Sequence, residues 1–247
     1  YPDYYQLRLL SADLKNDLKD PYAKDIRYAE ILEQNPNSFP ALFRRAQLHF
    51  QVDNNTVNFP IEERNSDLAA SYLMKAASIQ PNNPGPQRFL GNLYRGQNNL
   101  SMAKQAYESS RLLMGEPDEI DSRYSNILLM LGHVETFSGN YRKARELYDD
   151  SIELLDFKEK PGLYQYPVFT YFYERDYEQA IIAFTKMRSE INSSNQDQEW
   201  KTNAIVLMEE NIFVSHLHNS NEQGANKPTK DSFLNEGESS DQRARFN

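Results

Sequence analysis

Apolar residues return along this chain at i, i+3, i+4 and i+7, in blocks separated by short polar breaks. That period puts them on one face of a helix. The breaks hold residues that end and start helices: Asn35-Pro36-Asn37, Pro81-Asn82-Asn83-Pro84-Gly85, Gly96-Gln97-Asn98-Asn99, Gly139-Asn140 and Pro161-Gly162. Gly and Asn accept the left-handed conformation found at helix C-termini, and Pro begins a helix but cannot continue one. The pattern predicts paired helices whose apolar stripe is buried only when neighbouring pairs stack.

The pairs repeat. Ala69-x3-Leu73, Ala103-x3-Tyr107, Ala144-x3-Tyr148 and Ala180-x3-Phe184 mark four second helices, and their alanines lie 34, 41 and 36 residues apart. Ala46, Gly91 and Gly132 are small residues in comparable places of the first helices, where two helices can approach closely. Tyr28 and Leu32, before Pro36, read as the second helix of an earlier pair, with Tyr4 to Leu18 as its first. Pro167 and Val168 interrupt the last first-helix, which is expected to be short or to begin only at Pro167. Residues 53–65 are expected to form a long loop inside the second pair.

The run Leu90-Gly91-Asn92-Leu93-Tyr94, then Ala103-x3-Tyr107, then Pro117, resembles the tetratricopeptide repeat, with its Leu-Gly-x2-Tyr, Ala-x3-Phe and Pro at a period of about 34 residues. Gln87 stands where that family often has Trp. The resemblance covers roughly residues 22 to 190. It implies an all-α, right-handed superhelical solenoid of about five antiparallel hairpins, with the first helices lining a concave groove. Trp200, Ala204, Leu207, Met208, Asn211 and Val214 share one face and predict a capping helix at about residues 196–218, closing a repeat domain over residues 1–218. Residues 219–247 are rich in Ser, Asn, Glu, Gly and Lys, and are expected to be a disordered tail.

Composition narrows the chemistry. The 247 residues are 39% hydrophobic, enough for a substantial core. A net charge of −9 argues against nucleic acid as a partner, since phosphate binding needs clustered cations. With no cysteine there is no disulfide, thiolate metal site or cysteine nucleophile. No apolar run approaches the ~18 residues of a membrane span. The chain opens on Tyr1 rather than Met, which leaves room upstream for a signal, an anchor or another domain.

Catalytic patterns fail on inspection. His216-x-His218 supplies too few ligands for a metal, and His133-x-Glu135 lacks the cysteines of a zinc deaminase. Gly91 to Gly96 has neither the spacing nor the Lys-Ser/Thr of a phosphate loop. Glu62-Glu63, Asp149-Asp150 and Glu209-Glu210 are adjacent, so each pair diverges on a helix. No enzyme activity, cofactor or metal is expected.

Matching the units residue by residue, the resemblance places groove positions at Phe43, Gln47 and Phe50; Arg88, Asn92 and Arg95; Asn126, Leu129 and His133; and Gln165, Phe169 and Phe172. Each triplet shares one helix face. Their aromatic, amide and cationic groups suit a protein or peptide of apolar and acidic character. Arg88 and Asn92 look like the opening pair of the clamp by which some family members hold the tails of heat-shock chaperones. Met130, Gly162 and Tyr166 stand where its other polar ligands belong, so a chaperone tail is not the expected partner. The expected role is a non-catalytic scaffold or adaptor. The alternatives are a regulatory or substrate-recruiting domain of a larger enzyme, and a subunit of a stable complex.

Overall fold

The structure, a computed structural model, describes residues 20–50, 59–117, 121–154, 163, 165–194, 198–199 and 201–202. The helix expected over Tyr4 to Leu18, the 53–58 part of the long loop, Trp200, most of the expected capping helix and the 219–247 tail lie outside these residues. The described residues are helical with no strand: α1 (Pro21–Gln34), α2 (Phe39–Leu48), α3 (Ser66–Ile79), α4 (Pro84–Gly96), α5 (Leu100–Met114), α6 (Ser122–Phe137), α7 (Tyr141–Glu153), α8 (Gln165–Glu174) and α9 (Tyr177–Ser193). The chain divides into two compact units, Tyr1–Pro117 and Asp118–Asn247. The first holds α1 to α5 and the second α6 to α9.

Helix starts follow from their caps. Asp20, Asn65, Asn83, Asn99, Asp121 and Asp176 each accept a backbone N–H from the first turn of the helix that follows. Each satisfies a donor that has no partner inside its helix. Pro84 occupies the start of α4, where a missing N–H costs nothing. Pro167 lies in the first turn of α8 for the same reason, so that helix starts two residues earlier than Pro167 and runs for ten.

In the first unit, α2 pairs with α3 and α4 with α5, and α1 packs on α2. Ala46, Ala69, Leu73, Phe89, Leu90, Leu93 and Ala106 form its main core. A smaller cluster joins Tyr28 and Ile31 of α1 to Ala41 and Leu48 of α2, and Phe59 closes it. The described end of the long connection, residues 59–65, is therefore anchored: Phe59 is 6% exposed, and a single 3-10 turn, Ile61–Glu63, leads into α3. His49 is buried beside Phe59, with ring centroids 4.8 Å apart, and burial holds its imidazole below its ordinary pKa.

In the second unit, α6 pairs with α7 and α8 with α9, and α7 also packs on α8. Val168, Phe172, Tyr177, Ala180, Phe184 and Ile191 form one cluster, and Leu129, Ala144, Tyr148 and Leu163 another. Arg145 of α7 reaches α8, where it donates to Thr170 and Glu174 and lies 4.2 Å from the centre of the Tyr171 ring.

Candidate partner-binding faces

The hairpins α4/α5 and α6/α7 repeat one set of contacts 41 residues apart, and these fix which side chains are left to face outward. A Cβ on Gly91 would lie 2.5 Å from ring carbons of Tyr107, and a Cβ on Gly132 2.5 Å from those of Tyr148. Only glycine lets either ring lie flat on the first helix. Ser110 Oγ donates to the Pro84 carbonyl at 3.0 Å, and Ser151 Oγ to the Ser125 carbonyl at 2.9 Å. The turns match as well: Asn98 at φ 58° and Gly139 at φ 79° hold the same left-handed place. Asn99 and Asn140 each return a backbone N–H to the carbonyl five residues earlier, on Tyr94 and Glu135. Arg175 at φ 63° continues the series between α8 and α9.

Ala69, Ala103, Ala144 and Ala180 are all 0% exposed, the inner position that the repeat pattern requires of them. Together with the glycine–tyrosine contacts, this is the repeat unit read from the sequence, now seen as packing. No protein-family model matches the chain, and no curated protein matches it in sequence. Solved structures match it in fold. MamA superposes with a TM-score of 0.60 at 17% identity, over 80% of this chain and 98% of that one. PilF of Pseudomonas aeruginosa gives 0.57 at 14% identity, over 87% and 90%. YrrB, a TPR protein with an unusual peptide-binding site, gives 0.53 at 14%, over 78% and 84%. The chain has the tetratricopeptide-repeat (TPR) fold.

The TPR register locates the twelve expected groove residues. In the first unit, α2 lies against α4 through its aromatic side chains. Phe43 meets Phe89 edge-on at 4.8 Å and touches the Cβ position of Gly85, while Phe50 lies 3.9 Å from the Cβ position of Gly96. Gln47 is half-buried between them. On α4, the Arg88 guanidinium lies 5.0 Å from the centre of the Phe89 ring. Asn92 Oδ1 accepts from the Tyr107 hydroxyl at 2.6 Å. Burial pushes the Tyr107 phenol up to about 12, against the opposing pull of Arg95 and Arg88, so it is protonated at every physiological pH. All three polar groups of α4 stay half-exposed.

The second unit presents different chemistry. Shifting Arg88, Asn92 and Arg95 by the 41-residue repeat gives Leu129, His133 and Thr136, and Asn126 falls one turn earlier. Leu129 is 8% exposed and packs into the Tyr148 cluster. His133 sits between two rings, with centroids 5.7 Å from Tyr148 and 4.6 Å from Tyr166. On α8, Gln165 is half-buried, Phe169 rests against the core, and Phe172 is inside it against Tyr177 and Phe184. Thus Leu129 and Phe172 are buried in their cores, and the other positions keep some exposure.

Sequence reasoning used Tyr107 and Tyr148 only as repeat markers, took Tyr166 only as a missing clamp ligand, and passed over Thr136. The tyrosines of the second helices read as packing residues, and their hydroxyls reach the first-helix faces only once the hairpin is folded. Thr136 was discoverable, because the Gly91–Gly132 match fixes its register. No helix among the described residues is long and apolar enough to cross a membrane.

Proposed function

We propose that this chain is a non-catalytic scaffold or adaptor that binds a partner polypeptide on the exposed faces of its first helices. The observation carrying this reading is the α4 face. Three polar side chains, Arg88, Asn92 and Arg95, are held one turn apart on a helix whose other side is fixed in the core by Phe89, Leu90 and Leu93. Two guanidinium groups thus stand on one half-exposed face of a chain whose net charge is −9. Phe43 of α2 packs on Phe89 of α4 and Phe50, just beyond α2, reaches Gly96, so an apolar residue and an acidic residue of one peptide would bind side by side. YrrB lends support as a structure of the same fold with a peptide-binding site.

In the second unit, Asn126, His133, Gln165 and Phe169 supply a more aromatic face. The two units then read different features of a partner, which suits a scaffold better than a single-purpose clamp. The chaperone tail remains an unexpected ligand, since α6 offers Leu129 and His133 rather than further cations.

The test is the triple variant Arg88→Ala, Asn92→Ala, Arg95→Ala. Proteins captured from a cell extract by the unaltered chain should be lost by the variant, with circular dichroism unchanged. The same proteins captured at the same yield would refute the proposal.

A further inference from the structure

We propose that Tyr107 is a positioning residue: its hydroxyl turns the Asn92 amide so that the α4 face offers only hydrogen-bond donors, which selects a partner peptide carrying an acidic side chain. The proposal rests on the peptide-binding reading above and adds the polarity of the ligand and the residue that sets it.

Donor and acceptor counts fix the direction of the bond. An amide oxygen carries no hydrogen, so the bond between the Tyr107 hydroxyl and Asn92 Oδ1 must run from the phenol to the amide. The phenol has one hydrogen, and it goes to Asn92 Oδ1 at 2.6 Å. Asn92 therefore presents its oxygen inward, and its Nδ2 hydrogens turn away from Tyr107. They have no protein acceptor among the described residues. The bond from Tyr107 polarises the Asn92 amide and strengthens its outward N–H2 as a donor. With Arg88 one turn earlier, the face carries two cations and an amide N–H2. Among the described residues, the charges that act on Tyr107 are the cations Arg95 and Arg88.

The hairpin itself does not need this hydroxyl. Leu73 and Phe184 fill the matching position in α3 and α9 with no polar atom, and both are buried. In α7 the matching Tyr148 hydroxyl goes elsewhere. Thr136 Oγ1 donates to the Gly132 carbonyl at 2.9 Å, which leaves Tyr148 to donate to Thr136 at 2.9 Å. His133, in the place of Asn92, meets Tyr148 in an edge-on ring contact. The Tyr107–Asn92 bond is thus particular to the α4 face.

The experiment pans a random dodecamer peptide library against the full chain, then titrates the enriched peptides against variants. Enriched peptides should carry Asp or Glu. Asn92→Asp keeps the acceptor for Tyr107 but removes both outward donors, and should weaken them more than about ten-fold with the thermal midpoint retained. Tyr107→Phe frees the amide to rotate and should weaken them about five-fold. In the unaltered chain the Asn92 side-chain N–H2 signals, followed by NMR, should shift on peptide addition. If Tyr107→Phe folds poorly, Asn92→Asp and the NMR signal decide. Acidic peptides that bind Tyr107→Phe and Asn92→Asp as tightly as the unaltered chain would overturn the assignment. Enrichment of purely neutral peptides would overturn it while leaving peptide binding intact. No enriched peptide would remove the peptide-binding reading itself, and this inference with it.

Discussion

The hairpins α4/α5 and α6/α7 are built on the same inner frame and carry opposite outer faces. Inside, both press a tyrosine ring onto a glycine and tie the second-helix serine to the first helix. Outside, Arg88, Asn92 and Arg95 in one become Leu129, His133 and Thr136 in the other. Even the shared tyrosine hydroxyl follows the face rather than the frame, pointing to an asparagine in α4 and a threonine in α6. The frame needs shape, and many side chains would fail there. The face is released from packing, so its chemistry is free to differ between repeats.

The strongest way to break this comparison is to fill the glycine sites. Gly91→Ala and Gly132→Ala should each cost about 2–3 kcal/mol, because the methyl overlaps a ring that cannot leave the core. The α2/α3 hairpin already shows the compatible pair, Ala46 with Leu73. Gly132→Ala should therefore cost at least about 1 kcal/mol less in a Tyr148→Leu background than alone, in a double-mutant cycle by chemical denaturation. Additive losses would mean that the ring contact is not what restricts the site.

Removing the hydroxyls separates the two faces. Tyr107→Phe takes the short hydroxyl bond from Asn92 and should cost about 1–1.5 kcal/mol. Tyr148→Phe should cost about 0.5–1 kcal/mol, since Thr136 still donates to Gly132. Equal losses in thermal or denaturant melts would erase the distinction drawn between them.

The smallest effect lies at the turns. Arg175 occupies the left-handed place filled by Asn98 in the α4/α5 hairpin and Gly139 in the α6/α7 hairpin. Arg175→Gly should raise stability by about 0.5–1 kcal/mol in denaturant melts, since a side chain is strained there. Gly139→Ala should lower it by a similar amount.

The frame was legible in the sequence because it repeats. Alanines spaced by 34, 41 and 36 residues located four second helices, and all four are fully buried. The Asn and Gly breaks located the turns. The anchoring of Phe59 was not legible: a phenylalanine in a polar connection looks like part of a loop, and its pocket is assembled from α1 and α2 together. The faces were half legible. Arg88, Asn92 and Arg95 keep exposure as the helical spacing implied, while Leu129 and Phe172 sank into their cores. Spacing assigns a residue to a side of its helix, but how far a neighbouring helix covers that side depends on residues distant in sequence, such as Leu163 beside Leu129.

If frame and face are separable, the outer face of α6 can be moved onto α4. The variant Arg88→Leu, Asn92→His, Arg95→Thr does this, and its introduced threonine would accept from the Tyr107 hydroxyl as Thr136 accepts from that of Tyr148. Thermal unfolding and binding of the enriched acidic peptides are measured on that one protein. The account predicts a midpoint within a few degrees of the unaltered chain, about 1 kcal/mol at most, and loss of the acidic peptides. A collapsed midpoint, or acidic peptides bound as before, would contradict it.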